Sequence, residues 1–276
     1  MSRLYQEHIN FKKRFKYLPK LNYQEIQEVI KEFIKEIKKL DIRVSSYKPL
    51  DINKKNILSE RIGLELNKYK EIVLSSETGL ELGGIENKSF SLIYPIKKSS
   101  SRDFSDIIHI IGPEISEIKK SQISFSLFIL LSIKNLNDKT YEDLRNLNFI
   151  SDSIEGFSIR SIPRRFWCRI SQDAIENGFS FRFLGNGINS LYREKFRQKI
   201  NSIQILIINS YPDLIDKWLR YTEEMREELT ARWRAKVDNW KKRIDCDYEW
   251  ACKICPYFKS CQSLQKLLER RKDLEI

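Results

Sequence analysis

Ile123-Ser124-Phe125-Ser126-Leu127-Phe128-Ile129-Leu130-Leu131-Ser132-Ile133 is the most apolar stretch of the 276-residue chain, and its reading decides the fold. This short run, broken repeatedly by serine, falls well below the roughly 20 apolar residues that a membrane-spanning helix needs. Its β-branched and aromatic side chains suit a strand instead. Shorter β-rich runs recur at Glu71 to Leu74, Ser89 to Tyr94, Asp106 to Ile111, Phe166 to Ser171, Phe179 to Leu184 and Ile203 to Asn209. Helix candidates fall between several of them, notably Tyr141 to Asn146 and Tyr192 to Asn201. Strands interleaved with helices predict an α/β domain over residues 57–211, a mixed sheet flanked by helices. Gly83-Gly84 and Gly112-Pro113 read as turns within it.

On the N-terminal side, residues 1–56 read as a basic helical segment. Ile26, Val29, Ile30, Phe33, Ile34 and Ile37 recur at helical spacing, which predicts an amphipathic helix over Tyr23 to Leu40. The polar stretch Ser45 to Asn56 then reads as a linker. On the C-terminal side, residues 212–276 read as a helical segment. Pro212 suits a first helical position. After it Leu214, Trp218, Tyr221, Met225, Leu229, Trp233, Val237 and Trp240 recur every three to four residues. That pattern predicts one helix of about 45 Å at 1.5 Å per residue, delivering the chain to a cysteine-rich end.

Hydrophobic residues at 41% and charged residues at 32% describe a globular protein and exclude a disordered one. The net charge of +12 attracts anions: nucleic acid, phosphorylated cofactors and acidic proteins all qualify. Met1 to Lys20 is basic but lacks the apolar run of a secretory signal. The expectation is a cytoplasmic protein without a membrane span, in which clustered cysteines are thiols or metal ligands rather than disulfides.

Four of the five cysteines lie close together, as Cys246-x5-Cys252-x2-Cys255-x5-Cys261. The Cys-x2-Cys core puts two thiolates on one tight loop, and the flanking pair can complete four-fold coordination. A proline follows Cys255 directly, a frequent feature of cluster loops. Structural zinc is the alternative occupant. Zinc sites usually pair two short-spaced knuckles and only one is present, so the spacing favours a 4Fe–4S cluster. Four cysteine ligands leave no open coordination position, which points to electron transfer or structural anchoring.

From residue 60 onward several segments resemble, in order, the β subunit of acetyl-CoA synthase from the carbon monoxide dehydrogenase/acetyl-CoA synthase complex. They are Glu60-Arg61, Leu80-Glu81-Leu82-Gly83-Gly84, the strand Phe90 to Pro95 and Ile108-His109-Ile110-Ile111-Gly112-Pro113-Glu114. Arg165-Phe166-Trp167-Cys168-Arg169-Ile170-Ser171-Gln172-Asp173 looks like the family's Trp-x-Arg-aliphatic-Ser-x-Asp segment, and Tyr248 to Cys261 like the start of its cluster motif. In the family a fourth cysteine and a later Cys-Gly-Cys complete a nickel centre. Neither occurs here, and Cys246 has no evident counterpart. The resemblance therefore implies the family's scaffold with a reduced, nickel-free cluster, truncated before the nickel-binding domain. It speaks against acetyl-CoA synthesis by this chain alone.

The resemblance also implies coenzyme A binding around Trp167, where Arg160, Arg164, Arg165 and Arg169 would pair with phosphates and the indole pack on the nucleotide. The plainer account is a strand alternating core tryptophan with solvated arginine. Cys168, out of phase with Trp167, reads as a buried inert thiol. His109, inside an aliphatic strand, reads as a satisfied core histidine; His8 carries little information. Glu86-x-Lys88, after Glu77 and Glu81, faintly matches the carboxylate pattern of cluster-bearing nucleases. The spacing between Glu81 and Glu86 leaves little room for the two separate strands such a site needs.

The favoured expectation is an iron–sulfur accessory protein, passing electrons to or docking on a redox protein, corrinoid protein or enzyme subunit of one-carbon metabolism, without independent catalysis. A metal-dependent nuclease and a nucleic-acid-binding protein are the alternatives.

Overall fold

The structure is a computed structural model that describes residues 22–50, 78–84, 87–97, 105–137, 140, 144, 157–162, 165–176, 178–196 and 199–231, with side chains undescribed at 157–162 and 165–168. The chain divides into two compact units, Met1–Glu223 and Glu224–Ile276.

The quoted apolar run is the centre of the first unit. It forms β6 (Phe125–Ile133), in which every residue is buried, preceded by the two-residue β5 (Gln122–Ile123). A continuous apolar strand of this kind requires cover on both faces. β6 lies inside a five-stranded mixed sheet of order β1-β4-β9-β6-β3, formed with β1 (Val44–Tyr47), β3 (Ser89–Lys97), β4 (Ile107–Ile111) and β9 (Ile200–Asn209). β6 runs antiparallel to β9 and parallel to β3, and β4 runs parallel to β9.

One face of this sheet is covered by α1 (Tyr23–Ile37) and α4 (Pro212–Tyr221). α1 starts at Asn22, whose side chain accepts from Gln24 N and Glu25 N while Glu25 returns to the Asn22 N–H, a reciprocal cap. Its buried residues are Tyr23, Ile26, Val29, Ile30, Phe33, Ile34 and Ile37, the stripe that the helical spacing marks. Trp218 of α4, fully buried, packs against Phe33 and Phe128 with ring centroids 4.9 and 5.2 Å away.

The other face meets α3 (Phe181–Phe196) and a second sheet of order β5-β2-β8-β7, built from β2 (Thr78–Gly83), β7 (Phe157–Ile162) and β8 (Arg165–Ser171). Leu80, Leu82 and Ile170 of the small sheet share one core with Leu127, Ile129 and Ile205 of the large sheet and with Phe181, Leu184 and Ile188. The α/β expectation with a mixed sheet flanked by helices thus describes this unit. The C-terminal four-cysteine segment of that expectation lies outside the described residues.

Several local expectations are corrected. Phe179 to Leu184 alternates like a strand, yet from Phe181 on it is the first turn of α3. Ser180 caps that turn, accepting from Phe183 N at 3.1 Å, and Phe181, Leu184, Ile188 and Tyr192 then recur at helical spacing on the core. Gly185 permits the close approach, because a Cβ there would meet Ile108 Cγ2 at 2.9 Å. The helix expected to start at Tyr192 is therefore only the end of a longer one, and Ile200 already belongs to β9. Ser45 to Tyr47, read as linker, are edge strand β1, in register with Ile110 to Ile108 of β4. β2 and β7 were not anticipated; the glycines of β2 disguise it as a turn. The long C-terminal helix is interrupted at Thr222, where α4 ends; residues 223–231 are helical again. Glu71 to Leu74 and most of Tyr141 to Asn146 lie outside the described residues.

Gly112, after β4, sits at φ +126°, and a Cβ there would lie 2.6 Å from the Asn209 carbonyl oxygen. Gly112→Ala is expected to cost about 2–4 kcal/mol, since backbone strain and a backbone clash add. Urea unfolding checks this; a loss below about 0.5 kcal/mol would show that the turn relaxes freely.

Candidate functional site

The small sheet is where the sequence-marked residues meet the described structure. Ile170 of β8 is buried in the core and Arg169, its neighbour, is not, so the strand's alternation sets residues 165, 167 and 169 on the opposite face. Successive positions on that face are roughly 7 Å apart along the strand. Register adds Arg160 of β7 across from Trp167, and Ser158 across from Arg169. On the other side, β2 places Gly83 opposite Trp167 and Glu81 opposite Arg169. Gly83 carries no side chain and has φ 77°, so the position beside Trp167 is backbone only. Register therefore places Arg160 of β7 and Arg165, Trp167 and Arg169 of β8 at positions of one face of these two adjacent strands. Arg164 lies outside the described residues.

Arg169 is the one member whose side chain is described. Its Nε lies 3.6 Å from Glu81 Oε1, with the two side chains 25% and 14% exposed. Glu81 is held in turn by Gln122 of β5, whose Nε2 donates to Oε2 at 2.5 Å, and its backbone N–H donates to Ser121 O at 2.7 Å. Arg169 is thus neither a core residue nor a freely solvated one. The sequence offers Glu81 only as part of the family segment and as a carboxylate of the faint nuclease pattern, and it gives Gln122 no role. The polar break in Leu80-Glu81-Leu82 was the available signal, a strand with one face turned out.

His109 is a satisfied core histidine. Nδ1 shares a hydrogen bond with Ser46 Oγ at 2.8 Å and Nε2 one with Gln204 Nε2 at 3.0 Å. Burial, and then the nearby Lys38 charge, pull its pKa down to about 4. The neutral ring is the folded form. Its contribution is complete above the unfolded value near 6.5 and is lost as pH falls toward 4, by about 3 kcal/mol in all. His109→Gln is expected to flatten stability between pH 7 and pH 4 relative to the parent, measured by urea midpoints; parallel curves would refute the assignment.

Cys168 stands opposite Leu82 on β2 and Ile159 on β7. Glu81 faces the Arg169 guanidinium and the Gln122 carboxamide, and Glu77 and Glu86 lie outside the described residues. Among the described residues no group of three or more His, Cys, Asp or Glu could hold a metal ion, and no helix is long and apolar enough to cross a membrane. Cys246, Cys252, Cys255 and Cys261 lie outside the described residues.

A family model described as the CO dehydrogenase/acetyl-CoA synthase complex beta subunit matches residues 67–213, a span that includes both strands of the arginine face. The chain is similar to the acetyl-CoA decarbonylase/synthase complex subunit beta of Methanopyrus kandleri, 23% identical over 155 residues (55% of this chain, 32% of that protein). The corresponding protein of Methanothermobacter thermautotrophicus is 26% identical over 153 residues, with the same shares covered (55% and 32%). The carbon monoxide dehydrogenase/acetyl-CoA synthase subunit alpha of Moorella thermoacetica is 23% identical over 218 residues (73% of this chain, 29% of that protein). The chain matches about a third of the length of these relatives.

Proposed function

The chain belongs to the CO dehydrogenase/acetyl-CoA synthase complex beta subunit family, and from that premise we propose that it is an iron–sulfur accessory protein of one-carbon or corrinoid metabolism. Cys246, Cys252, Cys255 and Cys261 would hold one cluster, and the protein would pass electrons to, or dock on, a redox protein, a corrinoid protein or another enzyme subunit in the cytoplasm. The observation that carries this reading is the set of four thiols within sixteen residues, following a segment of the family's scaffold. The donor set fits the group: four thiolates saturate a cubane, and a saturated cubane supplies one-electron transfer rather than substrate activation. Zinc on the same four thiolates is the competing occupant.

The arginine face supports a second part of the reading. Arg165, Trp167 and Arg169 on one strand, beside Gly83, offer charge for phosphates, an aromatic position for a base, and backbone that a ligand can approach closely. We assign coenzyme A, or its nucleotide portion, to this face. Its 3′-phosphate and diphosphate match several guanidinium groups better than any monoanion does.

Anaerobic purification of the full chain, with iron, sulfide, nickel and zinc analysis and identification of co-purifying protein, tests the first part. The expected result is a brown protein whose broad absorbance bleaches on reduction. One zinc per chain and no iron would overturn it.

A further inference from the structure

The chain Gln122–Glu81–Arg169 crosses three strands of the small sheet, and its two contacts are unequal. Gln122 Nε2 holds Glu81 Oε2 at 2.5 Å, whereas Glu81 Oε1 and Arg169 Nε stand 3.6 Å apart, an ion pair beyond hydrogen-bonding distance. The carboxylate is tethered to Gln122 of β5, and the Glu81 backbone N–H donates to Ser121 O; the guanidinium is held to the carboxylate more loosely. We propose that Glu81 is a positioning residue that competes with a bound anion for Arg169 and so sets the affinity of the arginine face. This rests on reading that face as a phosphate-binding surface.

The physical basis is charge balance. With Glu81 ionised, Arg169 is largely neutralised for an incoming monoanion, and the ligand meets a carboxylate beside its own charge. A ligand with several phosphate charges can draw Arg169 into shorter, bidentate contacts while Glu81 stays with Gln122. Glu81 thereby raises the threshold for small anions and leaves multiply charged nucleotides able to bind. The pairing of β2 with β8 is what sets Glu81 beside Arg169.

The test is calorimetric titration of the full chain with coenzyme A. Glu81→Gln keeps the shape and removes the charge, and is expected to tighten binding about fivefold, the worth of a partly exposed ion pair. Gln122→Lys, at an exposed position, is expected to tighten it in the same direction by engaging Glu81 in Arg169's place. Both gains should vanish in an Arg169→Gln background. A merely structural role for Glu81 would weaken binding or leave it alone, never strengthen it. Coenzyme A binding that is lost in Trp167→Ala but unchanged or weakened in Glu81→Gln would overturn the inference and leave the phosphate-binding reading intact. So would gains that persist without Arg169. No binding by the parent and by Glu81→Gln alike would remove both.

Discussion

Chain carrying Cys252→Ser with Cys255→Ser, purified anaerobically, is expected to be colourless, its iron falling from about four atoms per chain to essentially none. These two thiols are the Cys-x2-Cys pair, and one tight loop must deliver both to the same centre. Serine keeps the size and removes the soft thiolate that iron requires, so two of four ligands are lost at once. Cys261→Ser should also lose most of the iron. Cys246→Ser separates the readings more sharply. If Cys246 completes the cubane, the variant should hold a labile, substoichiometric cluster that bleaches in air. A variant with full iron and unchanged air stability would show that a different group is the fourth ligand. The measurements are iron and sulfide per chain and visible absorbance. Iron that persists in the Cys252/Cys255 double variant would sink the cluster assignment altogether.

Trp218→Ala is expected to destabilise the first compact unit by about 4 kcal/mol, the usual cost of removing a large buried aromatic. For a body of this size that is a drop in Tm of about 10 °C. Trp218 is fully buried between α1 and the large sheet, with Phe33, Phe128 and Tyr221 around its ring. Deleting it opens a cavity that three rigid aromatic neighbours cannot collapse to fill. Trp218→Phe should cost much less, because it retains most of the volume and removes an indole N–H that is buried without an acceptor among the described residues. Denaturant unfolding of the two variants should therefore differ by about 2 kcal/mol or more. Equal losses would mean that the indole's shape, rather than the cavity, dominates.

Much of the first unit was legible because its signals are local. The stripe Ile26, Val29, Ile30, Phe33, Ile34 and Ile37 repeats every three to four residues and is buried as that period requires. β6 and β9 are long aliphatic runs that could not remain exposed in any arrangement. Phe179 to Leu184 misled because alternating phenylalanines satisfy a period of two while the serine cap and the later spacing satisfy a helix. The cap and the packing on Ile108 decided for the helix. Ser45 to Tyr47 misled because an edge strand can be polar; its ladder partner, β4, lies far along the chain. Of the proposed site, the arginines and Trp167 were marked by the family resemblance, whereas the pairing of Glu81 with Arg169 depends on strand register.

By itself the sequence determined the amphipathic first helix, the buried central strands, the basic charge and the four-thiol spacing on which the proposed metal site rests. Each depends only on what a residue's near neighbours along the chain are, through the 3.6 and 2.0 periods of helix and strand and the short reach of a Cys-x2-Cys loop. Tertiary structure alone decided that β1 closes the edge of the large sheet, that His109 is neutral between Ser46 and Gln204, and that Glu81 stands beside Arg169. Those depend on register between strands remote in sequence. A slip of one residue in β2 against β8 would put Glu81 on the core face and leave Arg169 beside a leucine, with the local sequence of neither strand changed.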